Sequence, residues 1–149
     1  RWIDCLKGEG VGLDWYVKQL QDKPYVWGNH YLPHDVRVRE LGTGKSRLEV
    51  LEELGLRNIE IAPRMDIMDG VQALRMLLPR SWFDKDKCKT GIEALRMYRR
   101  DFDEKRKEFR TNPFHDWTSH YADAARYFAI AHRDQMGYTP LKRNIRGIV

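Results

Sequence analysis

The chain has 149 residues, with 27 Lys and Arg against 22 Asp and Glu, for a net charge of +5. Charged residues make up 33% and hydrophobic residues 42%, which fits one soluble domain with a real core and excludes wholesale disorder. No run approaches the ~18 apolar residues of a membrane span, and no charged-then-apolar leader announces a signal peptide. The two cysteines, Cys5 and Cys88, are too few for a disulfide framework or a Cys-rich zinc site, so a reducing compartment is expected.

The chain starts at Arg1, without Met, and enters the apolar run Trp2-Ile3-Asp4-Cys5-Leu6 at once. This reads as a piece of a longer polypeptide. Residues 1–6 predict a short strand, broken by Gly8, Gly10 and Gly12. Leu13, Tyr16, Val17 and Leu20 follow helical spacing, and Pro24 ends that helix. Tyr25-Val26-Trp27 and Tyr31-Leu32 read as extended chain leading to Pro33-His34-Asp35. A loop rich in Arg and Gly follows, from Arg37 to Arg47. Leu48, Leu51 and Leu54 mark the next helix, with Gly55 as its C-terminal cap. Asn58 to Ala62 alternates as a short strand.

From Asp66 the pattern is helical. Asp66 is an expected N-cap, and Ile67, Val71, Leu74 and Leu78 share one face. Thr90-Gly91-Ile92-Glu93 fits a capping box. Ile92, Leu95, Tyr98, Phe102 and Phe109 then predict one long helix with a mixed-charge outer face from Arg99 to Glu108. Pro113 breaks it. A last helix is expected over Trp117–Ala131, with Trp117, Tyr121, Ala124, Phe128 and Ala131 as its buried stripe. Residues 138–149 read as a basic tail carrying Lys142, Arg143 and Arg146. Without repeats, residues 1–137 make a single α/β domain with a helical C-terminal half.

Three segments could carry chemistry. Gly42-Thr43-Gly44-Lys45-Ser46 ends like a phosphate-binding loop. That loop needs a further glycine where this chain has Arg39, so a basic loop touching phosphate backbone is the better reading. In Pro33-His34-Asp35, Asp35 either points into a site at a sheet edge or caps a turn. In His115-Asp116-Trp117-Thr118-Ser119-His120-Tyr121-Ala122-Asp123, His120 and Asp123 stand three apart on one side of a helix. The bland roles are an N-cap for Asp116, an ion pair with Arg126 or Arg133 for Asp123, and a half-buried polar contact for His120. Carboxylates from separate elements amid basic residues suit Mg²⁺ or Mn²⁺.

Tyr31-Leu32-Pro33-His34-Asp35, Arg39-Glu40-Leu41-Gly42-Thr43-Gly44-Lys45-Ser46-Arg47 and His115-Asp116-Trp117 with Ser119-His120 and Ala122-Asp123-Ala124 resemble the C-terminal nuclease domain of tailed-phage large terminase subunits. The resemblance runs from about Ile3 to Tyr127. It implies an RNase H-like fold, related to resolvases and integrases, in which two Mg²⁺ or Mn²⁺ ions held by an acidic cluster cut concatemeric double-stranded DNA. By position, Asp35 matches the family's second acid and Asp123 its last. Both are expected metal ligands and catalytic residues, with His120 beside them. Arg37, Arg39, Lys45 and Arg47 are expected on the DNA backbone. The implied partners are an N-terminal ATPase motor, a small terminase subunit and a portal protein, in the host bacterial cytoplasm.

The family's first acid sits on a strand upstream of the one that Trp2–Leu6 resembles, and Asp4 is no substitute for it. This chain alone is therefore expected to cut DNA poorly or not at all. Two other readings stand beside the nuclease. One is a DNA-binding or docking domain without chemistry, and the other is a Holliday-junction-resolvase-like nuclease.

Overall fold

Two helices make the main core. In the computed structural model, which describes residues 1–135, α3 (Ile67–Leu77) lies against α5 (Ser119–Gln135). Ala73 and Leu74 of α3 pack on Ala125, Ala129 and Ile130 of α5, with Trp2, Met65 and Leu95 closing the edges. Gly70 and Ala73 on α3, with Ala125 and Ala129 on α5, are small residues that allow this close approach. A second, smaller cluster joins Val17 of α1 (Leu13–Gln21) to Leu51 of α2 (Arg47–Glu53) and to Leu56.

Between these clusters runs β1 (His30–Leu32), paired in parallel with β2 (Ile59–Ile61) so that Tyr31 stands opposite Glu60. The chain between them passes through α2, the usual way to join parallel neighbours. The chain is thus mixed α/β. Among the described residues, no helix is long and apolar enough to cross a membrane. The basic tail at Lys142, Arg143 and Arg146, and the expected domain boundary at 137, lie outside the described residues.

Several expected elements hold. The helix on Leu13–Leu20, the helix on Leu48–Leu54 and the strand around Ile59–Ile61 form close to their expected bounds. Gly55 ends α2 at φ 94°, a left-handed conformation that explains the glycine. Asp66 precedes α3 in an extended conformation, although its side chain makes no capping hydrogen bond. The buried face of α3 is Gly70, Ala73 and Leu74, while Ile67 is exposed.

The expected strand at 1–6 does not form a ladder. It makes one bridge, Trp2 to Phe83, with the Trp2 N–H donating to the Trp82 carbonyl at 2.7 Å. The partner segment, Ser81–Asp84, is a short irregular stretch between the 3₁₀ turn ending at Arg80 and the turn that begins at Lys85.

The long helix expected through Phe109 is also corrected. Helix α4 spans Lys89–Met97, and the chain then forms an antiparallel hairpin, β3 (Arg100–Asp103) with β4 (Glu108–Pro113). The Asp103 carboxylate accepts the N–H groups of Lys105 and Arg106, and Lys107 turns at φ 56°. That aspartate-built turn competes with helix at its own position. Phe102 and Phe109, which helical spacing places on one face, instead meet across the hairpin at 5.1 Å between ring centroids. The charges read as a helix surface become ion pairs of the hairpin, with Arg110 bridging Asp101 at 3.3 Å and Asp103 at 3.2 Å. Thr90 does not cap α4; Cys88 holds that position, without a side-chain capping bond.

The buried stripe of α5 is rotated from expectation in part: Ala131 is buried and Tyr121 half-buried as expected. Ala122, Ala125, Arg126, Ala129 and Ile130 face inward, while Trp117, Ala124 and Phe128 are exposed. The face that meets α3 is made by Ala125, Arg126, Ala129 and Ile130.

Candidate active site

Asp35 follows β1 directly. Pro33 ends the strand in an extended conformation, and His34–Arg37 then coils into one short 3₁₀ turn. The Val36 N–H donates to the Pro33 carbonyl, and the Val36 side chain is buried beneath the turn. Val36 thereby anchors the turn and leaves Asp35 exposed at the end of the strand. The Asp35 carboxylate has no hydrogen bond or ion pair among the described residues.

Asp123 lies on the second turn of α5, which packs beside β1. Its Oδ1 accepts a hydrogen bond from Arg126 Nη2, so the ion-pair reading of this aspartate holds, with Arg126 as the partner. The Asp123 side chain remains 44% exposed while that of Arg126 is 10% exposed.

Tyr127, one turn after Asp123 on α5, lies within electrostatic reach of both acids. Burial raises the pKa of this phenol, and the Asp35 and Asp123 charges raise it further, against a lowering by Arg126. A nearby negative charge disfavours the phenolate, so both acids push the Tyr127 pKa in the same direction. Asp123 likewise acts on Tyr98. Sequence reasoning missed Tyr127; its signal is the four-residue spacing from Asp123 on one helix face. Removing the Asp35 charge by Asp35→Asn is expected to lower the Tyr127 pKa. Carbon-13 NMR of labelled tyrosine through alkaline pH measures this, and an unmoved titration would separate Asp35 from α5.

His120 takes another flank. It is exposed, 6.1 Å from the His115 ring, and it lines a cleft of about 310 Å³ with Leu6, Tyr16, Tyr121 and Ala124. Neither Asp35 nor Asp123 lines that cleft. Asp116 turns the chain into α5. Its Oδ1 accepts from the Thr118 N–H at 2.9 Å and the Thr118 hydroxyl at 2.5 Å, and these bonds hold its carboxyl below the usual range. Because α5 begins at Ser119, Asp116 stands in the turn before the helix and not at the expected N-cap position, with Arg99 at 3.5 Å as a second partner.

The basic loop is built on its own ion pairs. Ser46 is the N-cap of α2 in a capping box with Glu49, which accounts for the Gly-Lys-Ser sequence without a nucleotide. Arg39 donates to the Gly44 carbonyl and to Glu49, Lys45 pairs with Glu53 at 2.7 Å, and Arg47 with Glu40 at 3.3 Å. Arg37 is exposed without an ion pair among the described residues. Pairs this exposed hold weakly, so phosphate oxygens can replace the glutamates at small cost.

Carboxylates carried by adjoining elements, the end of β1 and α5, are hard oxygen donors. They suit one Mg²⁺ or Mn²⁺ completed by water and phosphate oxygens. A second ion lacks ligands: among the described residues, no three His, Cys, Asp or Glu side chains gather as a metal cluster. Compared with protein-family models, curated proteins and solved structures, the chain matches none.

Proposed function

We propose that this chain is an RNase H-like nuclease domain of a tailed-phage terminase large subunit, acting on concatemeric double-stranded DNA. The observation that carries the reading is the placement of Asp35 at the end of β1 and of Asp123 on α5, the helix that packs beside β1, so that two acids from opposite halves of the chain are carried by adjoining elements. These are the two acids that the family resemblance marks. A divalent ion held there would neutralise a phosphodiester and make its bound water more acidic. Asp35 presents its carboxylate from the end of β1, and Asp123 presents the free Oδ2 from α5. Arg37, Arg39, Lys45 and Arg47 grip the backbone without reading bases, so binding falls steeply as salt rises. The ATPase motor, small subunit and portal are the proposed partners, in the host bacterial cytoplasm.

Supercoiled plasmid tests this reading. Weak nicking that needs Mn²⁺, and that falls to background in Asp35→Asn and in Asp123→Asn with unchanged circular dichroism, is the expected result. Nicking that persists in both variants, or in EDTA, would overturn it.

One observation favours a second reading, a DNA-binding domain without chemistry. Arg126 already neutralises Asp123, and no third carboxylate completes the cluster among the described residues. Salt-sensitive duplex binding without any nicking, weakened by Arg37→Ala, would support it.

A further inference from the structure

Arg126 is the buried cation of the molecule's core. It is 9% exposed in the middle of α5, on the face that meets α3. A charge there needs a partner, because desolvation disfavours it strongly. Its Nη2 takes the Asp123 carboxylate, its Nη1 reaches the Ile67 carbonyl at 3.5 Å, and its Nε is buried without a partner. The side chain is also locked in place. Gly70 of α3 lies directly beneath it, and a β-carbon at that position would stand 3.3 Å from Nη1 and 3.4 Å from the Arg126 Cδ. Gly70 therefore leaves the room that the guanidinium fills.

The charge on Asp123 is thus answered from inside the protein. Oδ1 is engaged, while Oδ2 takes no hydrogen bond among the described residues and the side chain is half open to solvent.

We propose that Arg126 is a built-in counter-cation that sets how tightly Asp123 holds a divalent ion, weakening it by competing for the carboxylate. The inference rests on the reading of Asp35 and Asp123 as metal ligands. A dication at Oδ2 meets the guanidinium on the same carboxylate, and the two positive charges repel at short range in a partly dry setting. Arg126 is a positioning residue in this account: it touches the ligand group and not the substrate.

Mn²⁺ affinity, read by electron paramagnetic resonance on the whole chain, tests the proposal without relying on DNA cleavage. Arg126→Met keeps an unbranched side chain over Gly70 and removes the charge. It is expected to bind Mn²⁺ on the order of tenfold more tightly than the parent chain. Arg126→Lys, which keeps the charge, is expected to stay near the parent affinity. A purely structural arginine would show no such division between Met and Lys. Circular dichroism and thermal melting establish that each variant is folded, and Arg126→Gln, which also removes the charge, carries the comparison where Arg126→Met does not fold.

Two results would overturn the proposal, and they are distinguishable. If Asp123→Asn abolishes Mn²⁺ binding while folded Arg126→Met binds no better than the parent, the counter-cation role fails and the metal reading survives. If the same is seen with Arg126→Gln, used where Arg126→Met is unfolded, the role fails equally. If Asp123→Asn leaves Mn²⁺ binding unchanged, the metal reading itself fails, and the proposal with it.

Discussion

Leu74→Ala is expected to lower the unfolding free energy by about 2–5 kcal/mol. Leu74 is 5% exposed and lies in the centre of the α3–α5 contact, against Ala125, Ala129 and Ile130. Its neighbours on α5 are mostly alanines, whose short side chains cannot swing in to fill a hole. The void therefore stays largely open, and the loss is the transfer term plus the cavity term. Urea unfolding followed by circular dichroism measures it as a lower midpoint at unchanged slope. Leu41→Ala supplies the contrast. Leu41 is fully exposed in the basic loop, so its replacement is expected to change stability by less than about 0.5 kcal/mol. A loss below about 1 kcal/mol for Leu74→Ala would mean that this contact is not the principal core. The consequence reaches the site, because α5 carries Asp123, Arg126 and Tyr127 on the same packed helix.

Trp2→Ala is expected to cost about 3 kcal/mol, at the lower end for a large aromatic because the ring is only half buried. The ring stacks on Phe83 at 5.2 Å and meets Phe128 edge-on at 4.9 Å. Its backbone also accepts from the Asp84 N–H at 2.8 Å, and the Cys88 thiol lies 3.5 Å from its carbonyl. Trp2 thus pins the first residues to both α5 and the start of α4. A thermal melt of a domain this size should fall by roughly 6–12 °C. Trp2→Phe retains an aromatic ring over Phe83 and should recover most of that. A melt that does not move in Trp2→Ala would show that residues 1–6 contribute nothing to the fold.

The helices read most clearly from sequence were those whose spacing and stop signals agree. Leu13 to Leu20 ends before Pro24, and Leu48 to Leu54 ends at Gly55, where a left-handed residue is needed. The segment from Ile92 to Phe109 was misread because its apolar residues also satisfy helical spacing. Its turn is built by Asp103 and Lys107, with no glycine or proline to announce it. On α5 the spacing was right and the face was wrong. Bulky Trp117 and Phe128 look like core residues, yet the face that meets α3 is made by Ala125, Arg126, Ala129 and Ile130, and both aromatics are left exposed.

The site divides in the same way. Asp35 and Asp123 were legible through their sequence neighbourhoods, and the three-residue spacing to Arg126 already named an ion-pair partner. Ser46 as a helix cap was hidden behind its likeness to a phosphate loop. The flank taken by His120 was not legible, since a helical wheel places it beside Asp123 without saying which neighbour each side chain meets.

By itself, then, the sequence determined a mixed α/β chain, most of its helices, and two aspartates set in a basic surround. These follow from local causes: side-chain periodicity, caps, and residues that favour or forbid a backbone conformation. Only the tertiary structure decided that the helix carrying Asp123 packs beside the strand that ends at Asp35, that Arg126 is buried over Gly70, and that His120 faces a separate cleft. Those outcomes depend on where α5 crosses β1 and α3. Contacts between residues so far apart in the chain arise from packing volume and desolvation, which no local spacing encodes.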